Sequence, residues 1–149
     1  MNAFEKLKQQ LEGKNNLFAI DTSGSVRYVD CALAVSMAEV AKKFSKVKMC
    51  FWDSDCSPIV DGLSETLGSY FNAQGKRGSS PACVYEKIAE SGEHFDNVVL
   101  VTDGYFNIVP PKTDAASIML YYELHDAAPE WTSLVLDLNE VYDQSRNRK

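Results

Sequence analysis

The chain has 149 residues, 45% of them hydrophobic and 24% charged, with a net charge of −6 at pH 7. This fits one globular domain over 1–149 with a real core, and it excludes a general nucleic-acid binder, which needs clustered Lys and Arg against phosphate. No apolar run is long enough for a transmembrane helix, and the amphipathic, charged start from Met1 to Lys8 is wrong for a signal peptide, so a cytoplasmic protein with no membrane attachment is expected.

Phe4, Leu7 and Leu11 are spaced for a short helix over 3–12, ended by Gly13 and Asn15-Asn16. Leu17 to Ile20 is apolar on both faces, as a central parallel strand is. From Val26 to Phe44 one stripe (Val29, Leu33, Met37, Val40, Phe44) predicts a helix, with Asp30 near its start and Lys42-Lys43 near its end. Val47 to Trp52 alternates as a strand. Asp53-Ser54-Asp55 then reads as a solvated turn into a second strand, Ser57 to Val60, making an edge hairpin. Leu63 to Phe71 is a loop or short helix. Pro81 opens a helix through Glu90, Val98 to Val101 is another buried strand, and Pro110-Pro111 interrupts regular structure. Ser117–Tyr122 and Thr132–Leu136 read as the last strands, and Asn139–Arg146 as a terminal helix before a short basic tail, 145–149. Trp52, Trp131, Tyr121 and Tyr122 read as core or edge-strand residues. Strands alternating with helices predict an α/β domain with a mostly parallel sheet.

Chemistry concentrates where strands end. Asp21-Thr22-Ser23-Gly24-Ser25 follows the first buried strand and places a carboxylate and two hydroxyls at alternate positions. Thr102-Asp103-Gly104 follows the later buried strand. Between them lies the hydroxyl-bearing glycine loop Gly75-Lys76-Arg77-Gly78-Ser79-Ser80-Pro81. Hard oxygen donors at the carboxyl ends of strands suit Mg²⁺ or Mn²⁺. The four cysteines (Cys31, Cys50, Cys56, Cys83) form no C-x-x-C pair and have mostly apolar neighbours, which predicts buried or half-buried thiols in a reducing compartment. His94 and His125 fit no zinc-peptidase pattern.

These three loops resemble the metal-ion-dependent adhesion site of von Willebrand factor A domains, in their compact bacterial and phage-type branch. That signature is Asp-x-Ser-x-Ser, then a Thr in a glycine loop, then an Asp in a Thr-Asp-Gly-like turn. Asp21, Ser23 and Ser25 supply the first element and Asp103 the third. Ser79 stands where Thr is usual, with Ser80 the alternative. The resemblance runs from about Leu17 to Leu138. It implies a doubly wound, Rossmann-like fold with helices on both faces and the hairpin's second strand as an antiparallel edge. It also implies Mg²⁺ (or Mn²⁺) held by Asp21, Ser23, Ser25, Ser79 and Asp103, with no catalytic residue. A protein partner would complete the ion's shell with an Asp or Glu, in the setting of an AAA-type ATPase assembly. Tyr105 and Phe106, directly after Asp103, suit a partner surface.

Two rival readings stand beside this interaction module. A Mg²⁺-dependent phosphatase or nuclease could use the same acidic cleft, although only Lys76 and Arg77 could serve phosphate. The substitution at Ser79 also leaves room for a structural domain with a vestigial site.

Overall fold

The structure is a computed structural model that describes residues 1–23, 26–61, 80–104, 109–123 and 128–146. Ser25, Ser79, Tyr105, Phe106, the Lys76-Arg77 pair, the 63–71 segment and the end of the basic tail lie outside the described residues.

The described elements are α1 (Ala3–Leu11), β1 (Asn15–Asp21), α2 (Tyr28–Ala41), β2 (Lys46–Trp52), α3 (Ala82–Ser91), β3 (Asn97–Thr102), β4 (Ala116–Tyr121), β5 (Thr132–Asp137) and α4 (Leu138–Arg146). The strands form one sheet in the order β2-β1-β3-β4-β5, with every neighbouring pair parallel. The fold is α/β and Rossmann-like, as the alternating pattern predicts. Order reverses between β1 and β3. In doubly wound sheets the crevice for ligands opens at such a switch point, beyond the strands' carboxyl ends.

Alternation along each strand divides the core. Phe18 and Ile20 of β1, Val99 and Val101 of β3 and Ile118 and Leu120 of β4 pack with α1, α2 and α4. Leu17 and Ala19, Val98 and Leu100, and Met119 and Tyr121 face the other layer, which holds Val84, Tyr85 and Ile88 of α3. Strands buried on both faces have no polar side, which is why their sequences read as continuous apolar runs.

At the amino ends of the strands a buried amide network joins α1 to the sheet. Asn97 Nδ2 donates to Asn16 Oδ1 (2.8 Å) and to the Gln10 carbonyl (3.2 Å), while Asn16 Nδ2 donates to the Leu11 carbonyl (3.1 Å). Carbonyls in the last turn of α1, which lack helical partners, are thereby satisfied. At its other end α1 carries a capping box between Asn2 and Glu5. Gln144 of α4 accepts from the Phe4 N–H at 2.9 Å, which holds the two terminal helices together.

Two expectations are corrected. Among the described residues no antiparallel edge strand is seen: Ser57 to Val60 takes part in isolated antiparallel pairing, with bridges from Trp52 to Cys56 and from Met49 to Val60. Asp53-Ser54-Asp55 closes tightly, with Asp53 N donating to the Asp55 carbonyl and Asp55 N to Asp53 Oδ1. Pro58 has no N–H to give a ladder. The second correction concerns α2, whose buried face is Cys31, Ala34, Val35, Met37, Ala38 and Ala41, so that of the predicted stripe only Met37 lies at its centre. Small side chains let the helix approach the sheet closely. The larger Leu33, Val40 and Phe44 lie partly buried at its flank, and Val29 is 63% exposed.

This rotation of α2 can be checked. Ala38→Leu overpacks a close helix–sheet contact and is expected to cost about 1–3 kcal/mol. Val29→Ser removes an exposed methyl pair and is expected to stay within about 0.5 kcal/mol. Urea unfolding of both variants decides, and equal losses would restore the predicted stripe.

Candidate metal centre

Asp21 is the last residue of β1 and is fully buried. Side chains at 17, 19 and 21 share a face, so Asp21 points to the same side as Thr102, the last residue of β3. The Thr102 hydroxyl donates to Asp21 Oδ2 at 2.6 Å. Ser23 N–H donates to Asp21 Oδ1 at 2.9 Å, and the Ser23 hydroxyl also bonds this carboxylate. Asp21 and Ser23 therefore form a closed turn immediately after the strand. Thr22, between them, turns away: its N–H and hydroxyl both donate to the Trp52 carbonyl, at 2.8 and 3.0 Å. The alternation read from the sequence thus has a physical basis. Asp21 and Ser23 bond each other, and Thr22 between them ties β1 to β2.

The third loop joins at the same place. Gly104 N–H donates to the Thr102 hydroxyl at 3.1 Å, and Gly104 takes a φ of 88°. That backbone region strains a residue with a Cβ, which explains glycine after Asp103. Asp103 is half-buried and close enough to Asp21 to raise its pKa by repulsion. The backbone beneath is equally fixed. Tyr122 hydroxyl donates to the Asp21 carbonyl (3.1 Å), Tyr122 N–H to the Thr102 carbonyl (2.9 Å), and Asn139 of α4 to the Tyr122 carbonyl (3.0 Å).

Of the predicted site residues, Asp21, Ser23 and Asp103 are brought together. Ser25 and Ser79 lie outside the described residues, and so do the aromatics Tyr105 and Phe106. Ser80 is described. Its N–H donates to the Asp53 carbonyl at 3.0 Å, and its hydroxyl accepts from Ala82 N–H at 3.4 Å, inside the entry to α3. Ser80 is therefore held beside the end of β2. Asp53 is 4% exposed, contrary to the solvated turn expected for it. Thr102 and Tyr122 escaped the sequence reading as site residues. The signal for Thr102 was its place one residue before Asp103, at the end of a buried strand. Tyr122 carried none, because its partner lies 101 positions away.

Burial pushes the Asp21 carboxyl up to about 6, against the hydrogen bonds from Thr102 and Ser23, with Asp103 adding to the rise. Among the described residues, none of the groups that shift it is a cation. A carboxylate offers about four acceptor positions; Ser23 and Thr102 occupy three here. The described donors are hard oxygens. Among the described residues no three His, Cys, Asp or Glu side chains converge as a metal-holding group. An ion held here would rely on hydroxyls as well as on Asp21 and Asp103, a donor chemistry that suits Mg²⁺ or Mn²⁺.

No protein-family model and no curated protein matches the chain.

The raised pKa has a stability consequence. The native state holds the Asp21 proton to about pH 6, whereas the unfolded chain releases it near 3.8. Between those values the folded form binds more protons, so this group's contribution to stability falls as pH rises and is lowest above pH 6. The loss is roughly 3 kcal/mol for a shift of about two units. Without divalent metal, Asp21→Asn is expected to flatten the dependence of urea stability on pH across this window. An unchanged slope in the variant would place the titration elsewhere.

Proposed function

We propose that the chain is a non-enzymatic, divalent-cation-dependent protein-interaction module of the von Willebrand factor A type. Mg²⁺ or Mn²⁺ would be held by Asp21, Ser23, Ser25, Ser79 and Asp103. The observation that carries this reading is the buried Asp21 carboxylate, aligned by Ser23 and Thr102 at the switch point of a parallel sheet, with Asp103 beside it and, among the described residues, no cation in the groups that shift it. Burying a charge is costly unless it is paired. A bound cation would supply the pairing, and the hydrogen bonds already fix the carboxylate's orientation.

An ion bound mainly by hydroxyls keeps net positive character. It would retain a water-filled position that a partner's Asp or Glu could take. The chain's net charge of −6 would repel such a partner without metal. An AAA-type ATPase assembly is the setting the resemblance suggests, and a cytoplasmic location fits the free thiols. Among the described residues no helix is long and apolar enough to cross a membrane.

Ser79 rather than Ser80 is assigned as the middle ligand, because Ser79 directly follows Gly78 as the family's Thr follows its glycine. The rival hydrolase reading draws on Asp53, whose burial puts a further carboxylate at the end of the neighbouring strand. Two-metal hydrolytic centres gather several carboxylates around the ions, and the described acids do not converge in that way.

Two measurements test the proposal. With a millimolar Kd, ~10 mM Mg²⁺ adds about 1.4 kcal/mol of stability, and Asp21→Asn or Ser23→Ala removes the increment. A melting temperature indifferent to Mg²⁺ and Mn²⁺ would sink the metal site, while Mg²⁺-dependent turnover of a phosphate ester would favour the hydrolase. In Mn²⁺ calorimetry, Ser79→Ala is expected to weaken binding more than Ser80→Ala, and Ser79→Thr to retain it. The reverse ranking would move the ligand to Ser80.

A further inference from the structure

Among the described residues the exposed large hydrophobic side chains are Met1, Tyr28 and Val29. Met1 is the first residue. The other two are consecutive on the first turn of α2, Tyr28 49% and Val29 63% exposed. The buried face of that helix, from Cys31 to Ala41, includes neither of them. Their surroundings are tied to the candidate site. Val26 N–H donates to the Ser23 carbonyl at 2.9 Å, and Cys31 places its Sγ 3.7 Å from the Asp21 carbonyl. The Tyr122 hydroxyl meets both, 3.1 Å from that carbonyl and 3.9 Å from Cys31 Sγ. The start of α2 therefore stands at the carboxyl end of β1, on the rim of the crevice. Helical side chains tilt toward the amino terminus of their helix, which for Tyr28 and Val29 is toward that rim. Arg27, just before them, donates to both oxygens of Asp30 through Nε and Nη2, at 3.1 and 3.0 Å. The one acid in the first turn is thereby neutralised.

We propose that Tyr28 and Val29 form an apolar shelf that selects the partner. The partner is a protein segment whose metal-binding Asp or Glu has a large apolar side chain within about two residues of it. This rests on the metal-ion reading above and names the partner's chemistry. Charge decides which side chain suits the shelf. An ion in the crevice attracts one carboxylate, while the chain's net charge of −6 opposes any further acid. The Arg27–Asp30 pair leaves the shelf itself neutral, so a basic side chain gains nothing there. An apolar side chain is the complement that remains, and it covers two surfaces that otherwise face water. Tyrosine is also among the residues that carry most of the binding energy at protein interfaces. The reach is adequate. Two residues of an extended segment span roughly 7 Å, against roughly 5 Å for a turn of helix, and less than one turn separates Tyr28 from the Cys31 thiol beside Asp21.

The test titrates blocked pentapeptides into the full chain in millimolar Mg²⁺ and reads affinity from amide chemical shifts. The peptides are Leu-Ser-Asp-Ser-Leu, Ala-Ser-Asp-Ser-Ala and Leu-Ser-Asn-Ser-Leu. The first is expected to bind about fivefold more tightly than the second, and the Asn peptide is expected not to bind. In the Tyr28→Ser/Val29→Ser double variant the preference for leucine is expected to vanish. Its Mg²⁺ affinity by calorimetry is expected to match the wild type, because neither residue belongs to the proposed ligand set. A wild-type chain that binds Mg²⁺ yet takes the two Asp peptides equally, or takes neither, overturns this inference and leaves the metal reading standing. A leucine preference that persists in the variant, or that the Asn peptide shares, does the same. No Mg²⁺ binding by calorimetry removes the metal reading, and this inference falls with it.

Discussion

The hydrogen bond from Thr102 to the buried carboxylate of Asp21 is the constraint on which the candidate site rests. It spans β1 and β3, the two strands between which the sheet order reverses. Any parallel sheet of this order leaves a crevice there, but a crevice alone does not aim a carboxylate. Thr102 fixes one oxygen and Ser23 the other. The Thr102 hydroxyl also receives Gly104 N–H, so the turn that carries Asp103 is tied to the same atom. One threonine thereby sets the relative position of two acidic loops that lie about eighty residues apart in the chain.

Holding this carboxylate has a cost, and much of the surrounding architecture offsets it. Desolvation raises the Asp21 carboxyl, and the described groups that oppose the rise, Thr102 and Ser23, are neutral donors. The backbone beneath is braced by Tyr122, which is in turn braced by Asn139 at the start of α4. A strand end with so many fixed neighbours cannot relax to release the acid to water. The energetic tension therefore persists until a proton or a cation relieves it. This is the physical ground for preferring a cation-binding role over a purely structural one.

The same side of the sheet carries a second buried acid beside β2. The return of the chain after β2 buries Asp53 and, through the bridge to Trp52, lays Cys56 on the core layer that also takes Cys83. The same backbone carbonyl of Asp53 accepts from Ser80 N–H and lies near the Cys83 thiol. Whatever fixes this turn also fixes Ser80 at the entry to α3.

The amino-acid sequence by itself determined the α/β class, the parallel central strands and the residues that end them. Apolar runs such as Leu17–Ile20 and Val98–Val101 can be satisfied only by burial on both faces, and Asp21, Ser23 and Asp103 follow directly from where those runs stop. The rest required tertiary structure. The face of α2 was misread because a helix pressed against a sheet buries its smallest side chains, Ala34, Ala38 and Ala41, whereas hydrophobic periodicity weights the largest. The edge strand reduced to isolated bridges because a tight Asp53–Asp55 turn and Pro58 leave too few ladder hydrogen bonds. Asp53 was misassigned to solvent because local turn chemistry does not register what packs over it. The roles of Thr102 and Tyr122 depend on partners 81 and 101 positions away. Contacts at such separations leave no local pattern, and only the order in which the strands assemble decides them.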